Sequence, residues 1–144
     1  MTPPLEFQQA TIQFYQFLTD AREAAGLETT NQSYTMAQGV LQAFRRRLEL
    51  KEAIRFLVVL PAGVRALFTA DWDPDEPKRP FGDRAAMTKE VQALRPLHNF
   101  APENSIQAVA IALRRNIDPQ ALDRILGSLP VGAKEFWKPE GFEA

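Results

Sequence analysis

Apolar positions recur at helical spacing along most of the chain. In the first segment they fall three or four residues apart, as on one face of an amphipathic helix; they are Phe7, Ala10, Phe14, Phe17, Leu18, Ala21 and Ala25. Gly26 is expected to end this helix. No stretch of useful length alternates apolar and polar residues with the period of a β-strand. The pattern therefore predicts an all-α protein.

The same spacing predicts seven further helices. The second begins after the N-cap candidates Thr29, Thr30 and Asn31. The third begins near Leu50 and turns Ala53, Ile54, Leu57 and Val58 inward; its last turn, 56–60, is apolar all round and is predicted to be wholly buried. Pro61 opens a short fourth helix. The other half of the chain predicts a helix over 83–97 and helices from Pro102, from Asp118-Pro119 and from Pro130 to Phe136-Trp137.

Two blocks of the sequence repeat each other. Residues 38–68 align with residues 107–137 at a constant shift of 69 positions, and ten of the 31 pairs are identical. A repeat of this size predicts that both copies build the same unit. We expect a single-domain helical bundle over 1–144, made of two four-helix repeats about a pseudo-two-fold axis. Repeat one covers about 5–69 and repeat two about 83–138, with a tail over 139–144.

The segment 70–82 separates the two repeats. It holds three prolines and four acidic residues and is not expected to form a helix. Asp71, Asp73 and Asp75 are spaced as at the start of a calcium loop. The glycine and glutamate that such a loop requires at its sixth and twelfth positions are replaced by Glu76 and Gly82. We therefore expect a solvated acidic linker, with a weak or adventitious cation site as the alternative.

Composition and charge exclude several classes of function. The chain has no Cys, which excludes disulfides, thiolate zinc sites and a Cys nucleophile and suits a cytoplasmic location. No apolar run approaches the roughly 20 residues that span a bilayer, so no membrane partner is expected. With 17 basic and 18 acidic residues, no global field recruits nucleic acid.

The arginines are the main polar signal. Arg45, Arg46 and Arg47 end one predicted helix, and Arg114 and Arg115 end the equivalent helix of the second copy. Cations at a helix C-terminus stabilise the helix dipole, which is a structural explanation. A two-fold basic surface that binds phosphates or an acidic partner is the functional explanation. These five residues are the candidate contacts to an anion or a partner.

The sequence offers no convincing catalytic set. His98 is the only histidine, so only carboxylates are left to complete a metal site with it. Ser33, Ser105 and Ser128 lack the context of a nucleophile elbow. We predict no catalytic, cofactor-binding or metal-binding residues, no cofactor, and no enzymatic activity. Four aromatic residues are expected to close the ends of the core, or to mark a partner surface if they are exposed together: Trp72, Phe81, Phe100 and Trp137.

One arrangement of motifs occurs twice. Arg-Arg precedes Leu48 or Ile117, an acidic residue follows, and the next helix ends in Leu-Pro-x-Gly (60–63 and 129–132) ahead of an aromatic residue. Over roughly Phe14 to Trp137 the chain thereby resembles the bacterial domain of unknown function 2267. The resemblance implies a small, all-helical, bacterial cytoplasmic protein and brings no catalytic residues with it.

The sequence leaves the function unknown, and three hypotheses stay open. The leading one is a non-enzymatic interaction or regulatory module whose partner is another protein. The alternative is nucleic-acid or anion binding through the paired arginine helix ends. The third is a small apolar ligand held between the two repeats. The sequence does not determine the oligomeric state.

Overall fold

The computed structural model describes residues 2–139, and within that range all regular secondary structure is α-helical. The prediction of an all-α protein is confirmed. The helices are α1 Leu5–Gln8, α2 Ala10–Ala25, α3 Thr30–Arg45, α4 Leu50–Val58, α5 Ala62–Thr69, α6 Arg84–Ala93, α7 Ser105–Arg115, α8 Pro119–Leu126 and α9 Ala133–Phe136. In this part of the chain, no helix has the length and apolarity needed to cross a bilayer.

Several helix ends lie where local side chains predicted them. The Thr29 hydroxyl accepts the backbone N–H of Gln32 at 3.2 Å, and the Gln32 side chain accepts that of Thr29, which forms a capping box before α3. Asp118 caps α8, whose first residue is Pro119. Gly26 ends α2 with φ +72°, a left-handed conformation that glycine adopts without strain.

The first predicted helix is in fact two, so the described residues form nine helices instead of eight. Gln9 leaves helical geometry at φ −107° and ψ 8°, between α1 and α2. The spacing of apolar residues missed this break because glutamine is a good helix former and carries no stop signal.

The helix predicted over 83–97 is also shorter than expected, because Asn99 replaces its last turn. The Asn99 amide donates to the carbonyls of Val91 at 2.8 Å and Leu94 at 2.7 Å, and its oxygen accepts the N–H of Ala101. The Asn99 side chain thus provides hydrogen-bond partners for carbonyls at the end of α6 and for the backbone of the loop that follows. As a result α7 begins at Ser105, and the start predicted at Pro102 is wrong.

The core lies between α2, α3 and α7. Helix α2 packs along α7 and α3, and α6 packs on α3. A cluster of four buried rings closes one end of this core. The ring of Phe44 lies 4.7 Å from that of Phe56, 5.0 Å from Phe136 and 5.3 Å from Trp137, centre to centre. Trp137 belongs to this cluster and is fully buried, whereas Phe100 is exposed.

Helices α3 and α6 are in close contact at Gly39. A Cβ atom added there would lie 2.9 Å from the Val91 carbonyl oxygen and 3.0 Å from its Cγ1. We expect Gly39→Ala to lower the free energy of unfolding by about 1–2 kcal/mol, because overpacking outweighs the higher helix propensity of alanine. Urea denaturation measures the difference. Gly82→Ala is the control, since its Cβ would meet nothing within 4 Å. A Gly39→Ala protein more stable than wild type would contradict this close packing.

Candidate interaction surface

Arg45, at the end of α3, is buried and binds backbone carbonyls within the fold. Its Nη1 donates to the carbonyl of Phe68 at 2.7 Å and to that of Ala70 at 3.0 Å. The guanidinium lies 5.3 Å from the centre of the Trp72 ring. Burial lowers the pKa of Arg45, and the positive charge of Arg46 lowers it further. Arg45 therefore ties the end of α5 to α3.

Arg46 and Arg47 bind one carboxylate on α6. Arg47 donates to both oxygens of Glu90, at 3.2 and 2.8 Å. Arg46 donates to Glu90 at 3.1 Å and to Glu76 of the linker at 2.8 Å. Arg79 adds a third cation, 3.3 Å from a Glu90 oxygen. The network joins α3, the linker and α6.

The charge on Glu90 is favoured despite burial. Burial by itself would raise the pKa of this carboxyl. The hydrogen bond from Arg47 and the positive charges of Arg47 and Arg79 outweigh that effect, so the pKa of Glu90 lies below its ordinary value. Glu90 therefore stays ionised and holds three arginines in place.

The second pair of arginines is placed differently. Arg114 donates from Nε to the carbonyl of Trp137 at 3.1 Å and pairs with Asp123 at 3.1 Å. Arg115 is exposed, and its side chain has no ion pair or hydrogen bond within the described part of the chain. Of the five candidate arginines, Arg45 and Arg47 are buried with internal acceptors. Only Arg115 combines exposure with unused donors.

His98 lies on the rim of an open cavity of about 510 Å³ with Tyr34 and Phe100, and no carboxylate is among the described residues of its lining. The hydroxyls of Ser33 and Ser128 donate to backbone carbonyls at 2.7 Å. Between residues 2 and 139, no group of three or more His, Asp or Glu side chains is arranged to hold a metal ion.

An apolar stripe is exposed along α4. Leu50, Ile54 and Val58 follow one another at four-residue spacing and are 57%, 48% and 68% exposed. We call these three residues the α4 face. The prediction that Ile54 and Val58 turn inward, and that 56–60 is wholly buried, is wrong. Only Ala53 and Phe56 of α4 are buried, because the helix packs on α5 and α8 along one side.

The corresponding helix of the second block carries no such stripe. At the shift of 69 positions, the α4 face corresponds to Pro119, Asp123 and Gly127. The inward positions are apolar in both blocks, for example Ala53 with Leu122. The sequence thus held a signal for the exposed stripe, visible only when the two blocks are compared. The contiguous row of exposed apolar side chains makes the α4 face the candidate interaction surface.

The α4 face continues into a groove at its C-terminal end. Val58 lines a groove of about 350 Å³ together with Leu60, Pro61 and Ile117. Polar residues of several elements complete the lining, among them Glu6, Gln13, Arg65 and Asp118. An apolar ridge that leads into a groove with a polar rim has the composition of a protein-binding site. Other large apolar side chains are exposed on α1 and α2: Leu5, Phe7, Ile12 and Tyr15.

Comparison with known proteins places the chain in a family. A family model described as uncharacterized conserved protein (DUF2267) matches residues 14–136, from the second turn of α2 to the last residue of α9. No curated protein matches the chain. The match confirms the resemblance carried by the doubled Leu-Pro-x-Gly motif: the chain belongs to the DUF2267 family, a family of unknown function.

Proposed function

We propose that the protein is a non-enzymatic, cytoplasmic helical module that binds another protein through the α4 face. The observation that carries this proposal is the exposure of Leu50, Ile54 and Val58 on one side of a short helix. Apolar anchors that recur every three or four residues along a helix are typical of helix-mediated recognition, and a few buried apolar anchors supply most of the affinity of such interfaces.

We further infer that α2–α5 and α6–α9 are two repeats about a pseudo-two-fold axis. In such an arrangement α2 corresponds to α6 and α3 corresponds to α7. A two-fold axis then relates the packing of α2 on α7 to the packing of α6 on α3, and both contacts are present. Two hydrogen bonds also recur 69 positions apart: Arg45 to the Phe68 carbonyl with Arg114 to the Trp137 carbonyl, and Arg47 to the Ala43 carbonyl with Asn116 to the Ala112 carbonyl. On this view α4 and α8 share a structural role, so the apolar α4 face serves a purpose that α8 lacks.

The geometry favours a protein partner over the two alternatives. Binding of phosphates by the paired arginine helix ends requires accessible cations there, and Arg45 and Arg47 are buried against acceptors of the protein itself. A ligand between the repeats requires space. At Gly39, where α3 crosses α6, an added methyl group would already touch Val91.

The proposal predicts that Ile54→Asp strongly weakens partner binding without unfolding the protein. Loss of a central anchor is expected to weaken binding about 30-fold or more. The change in stability is expected to stay within about 0.5 kcal/mol, because the side chain is half exposed and Asp already occupies the corresponding position 123. The measurement is affinity capture from a lysate of the source organism after nuclease treatment, followed by titration of the captured protein.

The matched control is Ile12→Asp, which changes an exposed isoleucine on α2. We expect the partner to be retained by wild type and by Ile12→Asp and to be lost from Ile54→Asp. If both variants retained the partner equally, the binding site would lie outside the α4 face. Loss on nuclease treatment, with a steep dependence on salt, would support the nucleic-acid alternative.

A further inference from the structure

Two unpaired cations border the α4 face on one side. Lys51 and Arg55 are exposed, and neither side chain forms an ion pair or hydrogen bond with the residues that the structure describes. Since residues three apart are neighbours on a helix surface, Lys51 lies beside Ile54 and Arg55 beside Val58. The nearest acidic residue of the helix, Glu52, instead accepts the backbone N–H of Glu49 at 2.8 Å. The polar edge of the α4 face is therefore basic and uncompensated.

We propose that the α4 face binds an amphipathic helix of a partner protein whose apolar stripe is bordered by Asp or Glu on the side that meets Lys51 and Arg55. This inference rests on the proposed function and names the chemistry of the partner. The α4 face extends about 12 Å along the helix axis, which matches about two turns of a partner helix. The groove beyond Val58 would accept an apolar side chain at the end of that helix.

A second copy of the chain fits this surface less well than an acidic partner. Two α4 helices paired antiparallel about a two-fold axis would place Lys51 and Arg55 against the same two residues of the other copy. Opposed like charges destabilise an interface and disfavour the encounter. The basic edge thus selects for a partner of opposite charge.

The test is a display library of 18-residue amphipathic helices with a fixed Leu/Ile stripe. Its flanking positions vary among Asp, Glu, Lys, Arg, Gln and Ser. The full chain serves as bait, and binders that also bind the Ile54→Asp variant are removed. A parallel selection uses the variant Lys51→Glu with Arg55→Glu. Circular dichroism on each bait confirms that it is folded, and fluorescence anisotropy at about 0.15 M salt gives the affinities of the selected peptides.

We expect Asp and Glu to be enriched on one flank with the wild-type bait and Lys and Arg with the charge-reversed bait. Peptides from the first selection should bind the charge-reversed protein about tenfold more weakly. Binders that depend on Ile54 but show no acidic enrichment would overturn this inference and leave the proposed function standing. Failure to obtain any binder that depends on Ile54, or loss of wild-type dimers in the Ile54→Asp variant on sedimentation, would overturn both.

Discussion

Replacing Glu90 by alanine is expected to lower the free energy of unfolding by about 3–5 kcal/mol. The carboxylate is 12% exposed and compensates Arg46, Arg47 and Arg79 together. Without it, the Arg47 guanidinium, 6% exposed, keeps one hydrogen bond, to the carbonyl of Ala43. An uncompensated buried cation is among the most costly defects in a folded protein. Urea denaturation at neutral pH measures the loss.

Arg79→Ala is the control for this effect, because it removes the most exposed member of the same network. The Arg79 side chain is 52% exposed, and a pair of this kind contributes at most about 1 kcal/mol. Equal losses from Glu90→Ala and Arg79→Ala would show that the network is not buried as described.

The same carboxylate predicts how stability depends on pH. The pKa of Glu90 in the folded protein lies below the ordinary value of 4.5, so the unfolded chain takes up the proton more readily. The stability that ionised Glu90 contributes is therefore present above about pH 4.5 and is lost as the pH falls toward the folded pKa. The difference in unfolding free energy between wild type and Glu90→Gln should shrink over that range. A difference that is independent of pH would contradict the depressed pKa.

Trp137→Ala is expected to lower the free energy of unfolding by about 3–5 kcal/mol. The indole is fully buried and lies 5.2 Å from the ring of Phe136 and 5.7 Å from that of Phe56, centre to centre. Truncation leaves a cavity at the point where α4, α9 and the end of α3 meet, and the surrounding rings can close it only in part. Guanidinium denaturation followed by circular dichroism measures the effect.

Trp137→Phe is the matched control, because phenylalanine occupies the corresponding position 68. This change is expected to cost less than about 1.5 kcal/mol. The buried indole Nε1 has no hydrogen-bond partner among residues 2–139, so its removal adds no polar penalty. If the phenylalanine and alanine variants lost equal stability, packing in the ring cluster would not be the cause.

The sequence alone determined the helical class, most helix boundaries and the family. Thr29, Gly26 and Asp118-Pro119 were predicted correctly because a cap acts within one turn of its helix and needs no distant partner. The membership of the family was visible in the doubled motif, since its residues stand at fixed positions in the chain.

Tertiary structure alone decided what the arginines bind and which apolar residues stay exposed. The acceptors of Arg45 lie 23 and 25 positions along the chain, and Glu90 lies 43 positions from Arg47. Periodicity counted Ile54 and Val58 as core because it marks apolar positions without showing which of them a neighbour covers. The contrast between Ile54 and Asp123 in the two blocks pointed to the stripe, but burial depends on elements packed from elsewhere in the chain. Only the assembled fold therefore gives the exposure of the α4 face itself.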